Sequence, residues 1–260
     1  MKTTIQCLLI AIACLLPATQ VISADIYIGE KGRFTISGDI VRGDYTKLLQ
    51  FLDKSPSNRK AFFNSIYLDS KGGDVVEAMK MASLLDKSYS NTFVLTDAVC
   101  LSSCVLLWAS GVSRTLQGRL GVHRLTLARD EMSVSKTEKI VGPASQSVES
   151  YLVRMGIPRR IIDKMNETSA KDLFIIDLPW LVREDLSNAI HYRPTFIDVA
   201  EKKCGPSPVV VSMKNQTPPN RDSFMKWMLC VDDVREENQV IELPNIFALV
   251  QDGLRKEKGN

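Results

Sequence analysis

The chain has 260 residues, 45% of them hydrophobic and 24% charged, with 33 Lys and Arg against 30 Asp and Glu. Fourteen Gly and 11 Pro are close to average use, which excludes a disordered or collagen-like chain and fits an ordinary globular protein. A net charge of +3, with no basic block longer than the Arg255-Lys256-Glu257-Lys258 tail, leaves nucleic acid without an electrostatic footprint. Two histidines, His123 and His191, and no Cys-x2-Cys pair give no expectation of a metal site.

At the N-terminus one lysine, Lys2, precedes an apolar run from Cys7 to Leu16, then Pro17 and a polar stretch ending Val21-Ile22-Ser23-Ala24 before Asp25. This is the layout of a cleaved secretory leader. The run is about half of what a bilayer requires, so no permanent membrane span is expected. Ala11-Ile12-Ala13-Cys14 resembles a lipoprotein box, but Leu15-Leu16-Pro17 after it would make an odd mature start. The expected organisation is a signal peptide over 1–24, an α/β domain over 25–197 and a C-terminal extension over 198–260, in a protein that is periplasmic or secreted. Loss of the leader leaves Cys100, Cys104, Cys204 and Cys230, an even number that suggests disulfides in an exported chain. Cys204 and Cys230 bracket a Pro-rich stretch with little apolar periodicity, so a bridge there would staple the extension; two buried free thiols are the alternative.

Short strands are expected at Asp25–Gly29 and Arg33–Ile40, then a helix over Tyr45–Leu52 with Leu48, Leu49 and Leu52 on one side. Ser65–Leu68 reads as a strand and Asp69-Ser70-Lys71-Gly72-Gly73 as a turn. Asp74 and Glu77 have capping-box spacing for a buried helix Val75–Leu85. The unit then repeats: a strand at Thr92–Thr96, a turn through Asp97–Leu101 and a helix from Ser102 or Ser103 to Ala109, stopped by Gly111. Strand, turn and buried helix recurring in this way indicate an α/β layered core. Leu120–His123 is a further strand, Arg129–Thr137 a polar loop, and Ser145–Met155 and Pro158–Asn166 are helices.

Two of these turns end at helix N-termini, Gly72-Gly73 and Ser102-Ser103, and each presents unpaired backbone N–H groups. If they face each other they form an oxyanion hole, with a serine of the second turn placed to attack a carbonyl and His123 as general base. Taken singly, each feature has a structural reading: a Gly-Gly turn, a Ser at an N-cap, a core histidine. Their joint order is what favours chemistry.

The runs Ser37-Gly38-Asp39-Ile40, Leu68-Asp69-Ser70-Lys71-Gly72-Gly73, Cys100-Leu101-Ser102-Ser103-Cys104 and Gly121-Val122-His123-Arg124 resemble the Clp protease proteolytic subunit (ClpP) of the ClpP/crotonase superfamily, and in particular its exported, periplasmic ClpP-like branch. The resemblance spans about residues 33 to 192 and leaves out the extension. It implies a ClpP/crotonase-type spiral of β-β-α units with Ser102 as nucleophile, His123 as base and an oxyanion hole from Gly72, Gly73 and Ser103. It also implies a homo-oligomer; the cytosolic ATPase partners of ClpP do not fit an exported chain. Where ClpP carries an acidic third member, this chain has Thr168, with Asp172 and Glu167 nearby, so the third residue is either Asp172, Glu167 or absent, in a Ser-His dyad.

His191 is an alternative base, though its place before Tyr192-Arg193-Pro194 suggests packing. For Cys100 and Cys104 three readings stand: a bridge locking the turn, two packed thiols, or Cys104 as nucleophile. The expected function is an exported serine hydrolase, a peptidase acting on a peptide or protein substrate with no metal or organic cofactor. The alternative is a catalytically silent ClpP-like scaffold that binds peptides or an envelope protein. A coenzyme A thioester enzyme of crotonase type is disfavoured because its substrates are cytosolic.

Overall fold

The computed structural model describes residues 23–126, 134–186, 189–218 and 220–258. The leader residues 1–22 and the first part of the expected polar loop therefore lie outside the described residues. The strands are β1 (Asp25–Ile28), β2 (Phe34–Ile40), β3 (Ser65–Gly73), β4 (Asn91–Val94), β5 (Val99–Leu101), β6 (Arg114–Leu116), β7 (Arg119–Val122) and β8 (Phe174–Ile176). The helices are α1 (Asp44–Lys54), α2 (Pro56–Asn64), α3 (Val75–Lys87), α4 (Cys104–Ala109), α5 (Val134–Arg154), α6 (Arg159–Glu167), α7 (Leu178–Arg183), α8 (Pro194–Cys204), α9 (Pro208–Asn215) and α10 (Arg221–Lys258).

The strands join in the order β1-β2-β3-β5-β7-β8, with β4 and β6 branching from β3. β3 forks: its first residues pair with β4 (Ser65↔Asn91 to Tyr67↔Phe93), and further on Ser70 pairs with Cys100 of β5. Each unit β4-β5-α4 and β6-β7-α5 thus gives one strand to each branch before its helix. This is the α/β spiral of β-β-α units that the motifs imply. The β2–β3, β3–β5 and β5–β7 pairings are parallel, so the C-terminal ends of β2, β3, β5 and β7 emerge on one side, where α/β sheets place ligands.

Local chemistry accounts for the segments that come together there. Asp74 caps α3, its Oδ1 accepting from Val76 N at 2.8 Å and Glu77 N at 3.0 Å. The expected capping box is only half made, because Glu77 turns away to accept from Gly43 N at 3.1 Å and Tyr45 N at 3.0 Å. The stretch 69–73, expected as a turn, continues β3, since β2 pairs with it as far as Ile40↔Gly73. Likewise 99–101 is strand rather than turn: β3 and β7 flank it and supply the ladder.

The main core gathers Leu48, Leu49, Ile66, Leu68, Met81, Leu106, Leu152 and Ile162 from both layers. Ile246 and Val250 of α10 belong to it too, so the C-terminal extension closes over α1. A second cluster around Phe196, Trp227 and Val231 joins α8 to α10, and a Cys204–Cys230 disulfide links the same two helices. The two cysteines are 26 residues apart. Replacing both by serine should lower unfolding stability by about 3 kcal/mol on loop entropy, read as a shift of the urea midpoint.

Arg114 is fully buried and bonds only to backbone carbonyls: Met155 O at 2.9 Å and Ala109 O at 3.3 Å through Nη1, and Tyr192 O at 2.6 Å through Nη2. Burial, with Arg193 adding to it, pushes its guanidinium down to about 9, so it stays charged at neutral pH. The side chain ties α4, the α5–α6 turn and the segment before α8 into one body. Arg114→Met should cost about 2 to 3 kcal/mol, because the fit of an apolar chain leaves buried carbonyls unpaired; chemical denaturation of the folded variant measures it.

Among the described residues no helix is long and apolar enough to cross a membrane, and no group of three or more His, Cys, Asp and Glu is placed to hold a metal ion.

Candidate active site

β5 ends at Leu101 and α4 begins at Cys104, which leaves Ser102 and Ser103 to reverse the chain. Ser102 does so at φ +53°, a left-handed conformation that a non-glycine residue adopts at a cost. Its N–H donates to Gly121 O of β7 at 2.7 Å, which pins the reversal. The Cys100–Cys104 disulfide closes over the same turn, with 5.2 Å between the Cα atoms. Of the three readings of these cysteines the bridge is the one present, so Cys104 carries no free thiol. Two disulfides are compatible with an oxidising compartment.

The two turns face each other. Gly72 has φ +86°, and a Cβ built on it would lie 2.4 Å from Leu101 O, 2.9 Å from Ser102 Cβ and 2.9 Å from Ser103 N. Only glycine permits that approach. Its own N–H donates to Ser70 Oγ at 3.0 Å and is occupied. Asp74 N donates back to Ile40 O at 2.7 Å. Gly73 follows at φ +142°, packed against the Ile40 backbone and lining the same junction. The Gly73 and Ser103 backbones thus meet at this junction and line one cleft.

Gly72, Gly73, Ser102, Ser103 and His123 all line one cleft of about 820 Å³. The two serines differ in access. Ser102 is half-buried at the cleft wall, whereas Ser103 is 6% exposed and its Oγ is sealed in without a hydrogen-bond partner. His123 follows β7 directly, and its Nδ1 lies 2.9 Å from Arg124 O. That contact assigns the proton to Nδ1 and leaves Nε2 as the basic nitrogen, a tautomer set by the backbone. Around these groups the cleft is apolar, with Val105 and Leu106 from α4, Val148 and Leu152 from α5 and Met165 from α6, while Arg42 and Lys71 stand on the β2 and β3 side.

Asp172 lies elsewhere. It is exposed in the turn before β8 and does not line the cleft. Glu167, also exposed, pairs with Lys164 at 2.7 Å. Thr168, at the position where the resemblance places an acid, offers its carbonyl to Arg124 N at 3.0 Å and its hydroxyl to Lys164 O at 2.6 Å. Among the described residues, His123 has no carboxylate partner. His191 is away from the cleft, its Nδ1 3.2 Å from Arg114 O.

The cleft's contribution from α5 was not linked to the site by sequence. Val148 and Leu152 do show helical spacing, but nothing in that spacing says which neighbour they meet. Asn166 also lines the cleft, with no motif to mark it.

No protein-family model matches the chain, and no curated protein does. Among solved structures it is similar to a mutant of the 1510-N membrane-bound stomatin-specific protease, at 15% identity and a TM-score of 0.44, over 58% of this chain and 74% of that one. A second mutant of that protease, in complex with a substrate peptide, matches at 14% identity and a TM-score of 0.42, over 58% and 70% of the two chains. ClpP1 from Listeria monocytogenes matches at 12% identity and a TM-score of 0.44, over 59% of this chain and 87% of that one. The likeness is one of fold. The roles of individual residues rest on the geometry of this chain alone.

Proposed function

We propose that the chain is an exported serine hydrolase that cleaves peptide bonds through a Ser102–His123 dyad. The observation that carries this reading is the left-handed Ser102, held on a strand-to-helix reversal against Gly72 and facing the same cleft as His123. A strained serine at such a reversal, with its side chain at a cleft wall, is how a hydroxyl is presented to a carbonyl. His123 Nε2 takes the Ser102 proton as the Oγ–carbon bond forms, and the N–H groups of Gly73 and Ser103 hold the oxyanion. The same imidazolium then protonates the leaving amine, and water repeats the sequence on the acyl-enzyme. The Arg124 carbonyl does the orienting that a carboxylate does in a triad. No metal or organic cofactor takes part in these steps. The reading includes self-association, as the resemblance implies.

The apolar cleft walls suit a peptide with an apolar side chain beside the scissile bond. Incubation with a fluorophosphonate should add one adduct, on Ser102, located by peptide sequencing. An adduct on Ser103 would overturn the assignment. No adduct in protein shown to be folded would favour the silent scaffold, whose supporting observation is that no carboxylate among the described residues meets His123.

A further inference from the structure

We infer that the leader is cut between Ser23 and Ala24 and that the new α-ammonium of Ala24 pairs with the buried carboxylate of Asp44. This rests on the export half of the proposed function and is independent of its catalytic half.

Asp44 opens α1 and is 1% exposed. Its Oδ2 accepts from Val41 N at 2.7 Å and from Ala24 N at 3.2 Å, and its Oδ1 accepts from Ser23 Oγ at 2.6 Å. Among the described residues it has no ion-pair partner. Lys47, the neighbouring cation, is directed to the Ala24 carbonyl and to Ser23 Oγ at 3.4 Å, and lies 3.9 Å from the Asp25 carboxylate. A carboxylate removed from water in this way is costly until a positive charge meets it. A backbone N–H already points at it, from a residue at the expected end of the leader, and cutting ahead of that residue turns the N–H into a cation without moving an atom.

The sequence is consistent with that bond. Leader-removing peptidases favour small residues at the last position and two before it. A cut after Ser23 puts Ser at the last place and Val21 two before it; a cut after Ala24 puts Ala at the last place but the larger Ile22 two before it. A cut after Ala24 would also discard a residue that is fully buried in the main core. Because Ala24 is fully buried in the fold, the cut must precede folding. The step is a hydrolysis: the peptidase of the export route adds water to the Ser23–Ala24 bond, Ser23 leaves with the leader as a carboxylate, and Ala24 N becomes an ammonium. The new charge lies 3.2 Å from Oδ2, and its attraction for the carboxylate makes up for the departed Ser23 hydroxyl on Oδ1.

The pairing also bears on the cleft. The Asp44 oxygen that takes Ala24 N also takes Val41 N, and Val41 and Arg42 form cleft wall next to Ile40, whose carbonyl holds Asp74 beside Gly73. A chain whose leader is still attached lacks the charge that completes this corner.

The experiment uses the full chain, expressed with its own leader and purified from the extracytoplasmic fraction. N-terminal sequencing should begin at Ala24. An amine-reactive acetylating reagent at neutral pH should modify the Ala24 amine at least about tenfold more slowly in native protein than in urea-unfolded protein, since access needs local opening. Asp44→Asn should remove most of that protection; if this variant does not fold, the native-to-unfolded comparison on the unaltered protein decides. A start at Asp25 or at any other processed position overturns this inference and leaves export standing. Retention of Met1 overturns both, and an Ala24 amine acetylated equally fast in native and unfolded protein overturns the pairing.

Discussion

Ser102→Ala and His123→Ala are each expected to lower peptide hydrolysis by about 10⁴-fold or more, and the double variant to lose little beyond either single one. Two groups that act as a unit give such non-additivity, because a serine without its base and a base without its serine are equally idle. What remains is hydrolysis by water beside the oxyanion donors. Ser103→Ala is the informative contrast. The Ser103 hydroxyl is sealed in and unpartnered, and its removal leaves the backbone N–H in place. That variant should keep activity within about threefold and lose no stability, as deleting an unsatisfied buried hydroxyl is close to neutral. Steady-state rates on a peptide substrate, with circular dichroism as a folding control, measure all four proteins. Additive losses in the double variant, or a Ser103→Ala protein as impaired as Ser102→Ala, would remove Ser102 from the nucleophile's place.

The parts of this arrangement that were legible in sequence are those fixed by local chemistry. The Asp74 cap, the Gly72-Gly73 pair and the serines ahead of an apolar helix each announce a backbone conformation that few other residues adopt. Sequence also gave the order of these turns, but not that Gly72 touches Ser103, which depends on β3 and β5 pairing at Ser70↔Cys100 across 30 residues of chain. Segments 69–73 and 99–101 were misread for a related reason. A glycine pair and the polar residues ahead of 99 suggest turns, yet 69–73 is held in the sheet by β2 and 99–101 by β3 and β7, a tertiary effect that overrides propensity. The same limit hid α10, which interrupts its apolar pattern with Pro244 and meets α1, α3, α8 and α9 on different faces. Arg114 was illegible in a different sense: nothing local distinguishes a buried arginine from a surface one. Asp172 was named as a nearby acid by counting along the chain. The turn over 169–172 leaves it exposed and outside the cleft, while the backbone carbonyl that meets His123 carries no sequence signature.

Gly72→Ala is expected to reduce activity by about 10⁴-fold or more in a protein that still folds. The methyl group would sit 2.4 Å from the Leu101 carbonyl oxygen and 2.9 Å from Ser103 N, and neither is the end of a flexible side chain. Backbone must give way, and the two turns must part by something on the order of an ångström to restore van der Waals distance. That displacement separates Gly73 N–H from Ser103 N–H, so one substrate oxygen can no longer be held by both. Loss of one oxyanion donor costs about 10² to 10³ in rate, and misplacing the nucleophile by an ångström costs about 10² more. The left-handed φ of +86° adds strain of about 1 to 2 kcal/mol, which must be separated from the steric effect. Gly32→Ala separates it: φ there is +72°, but the new Cβ meets nothing within 4 Å. Gly32→Ala should therefore lose about 1 kcal/mol of stability and no activity. In Gly72→Ala the loss should fall on kcat rather than KM, since the donors act on the oxyanion of the transition state and the apolar walls that bind the peptide are untouched. Full activity in a folded Gly72→Ala protein would mean that the contact between the two turns is packing alone, and would detach the glycine pair from the chemistry of Ser102.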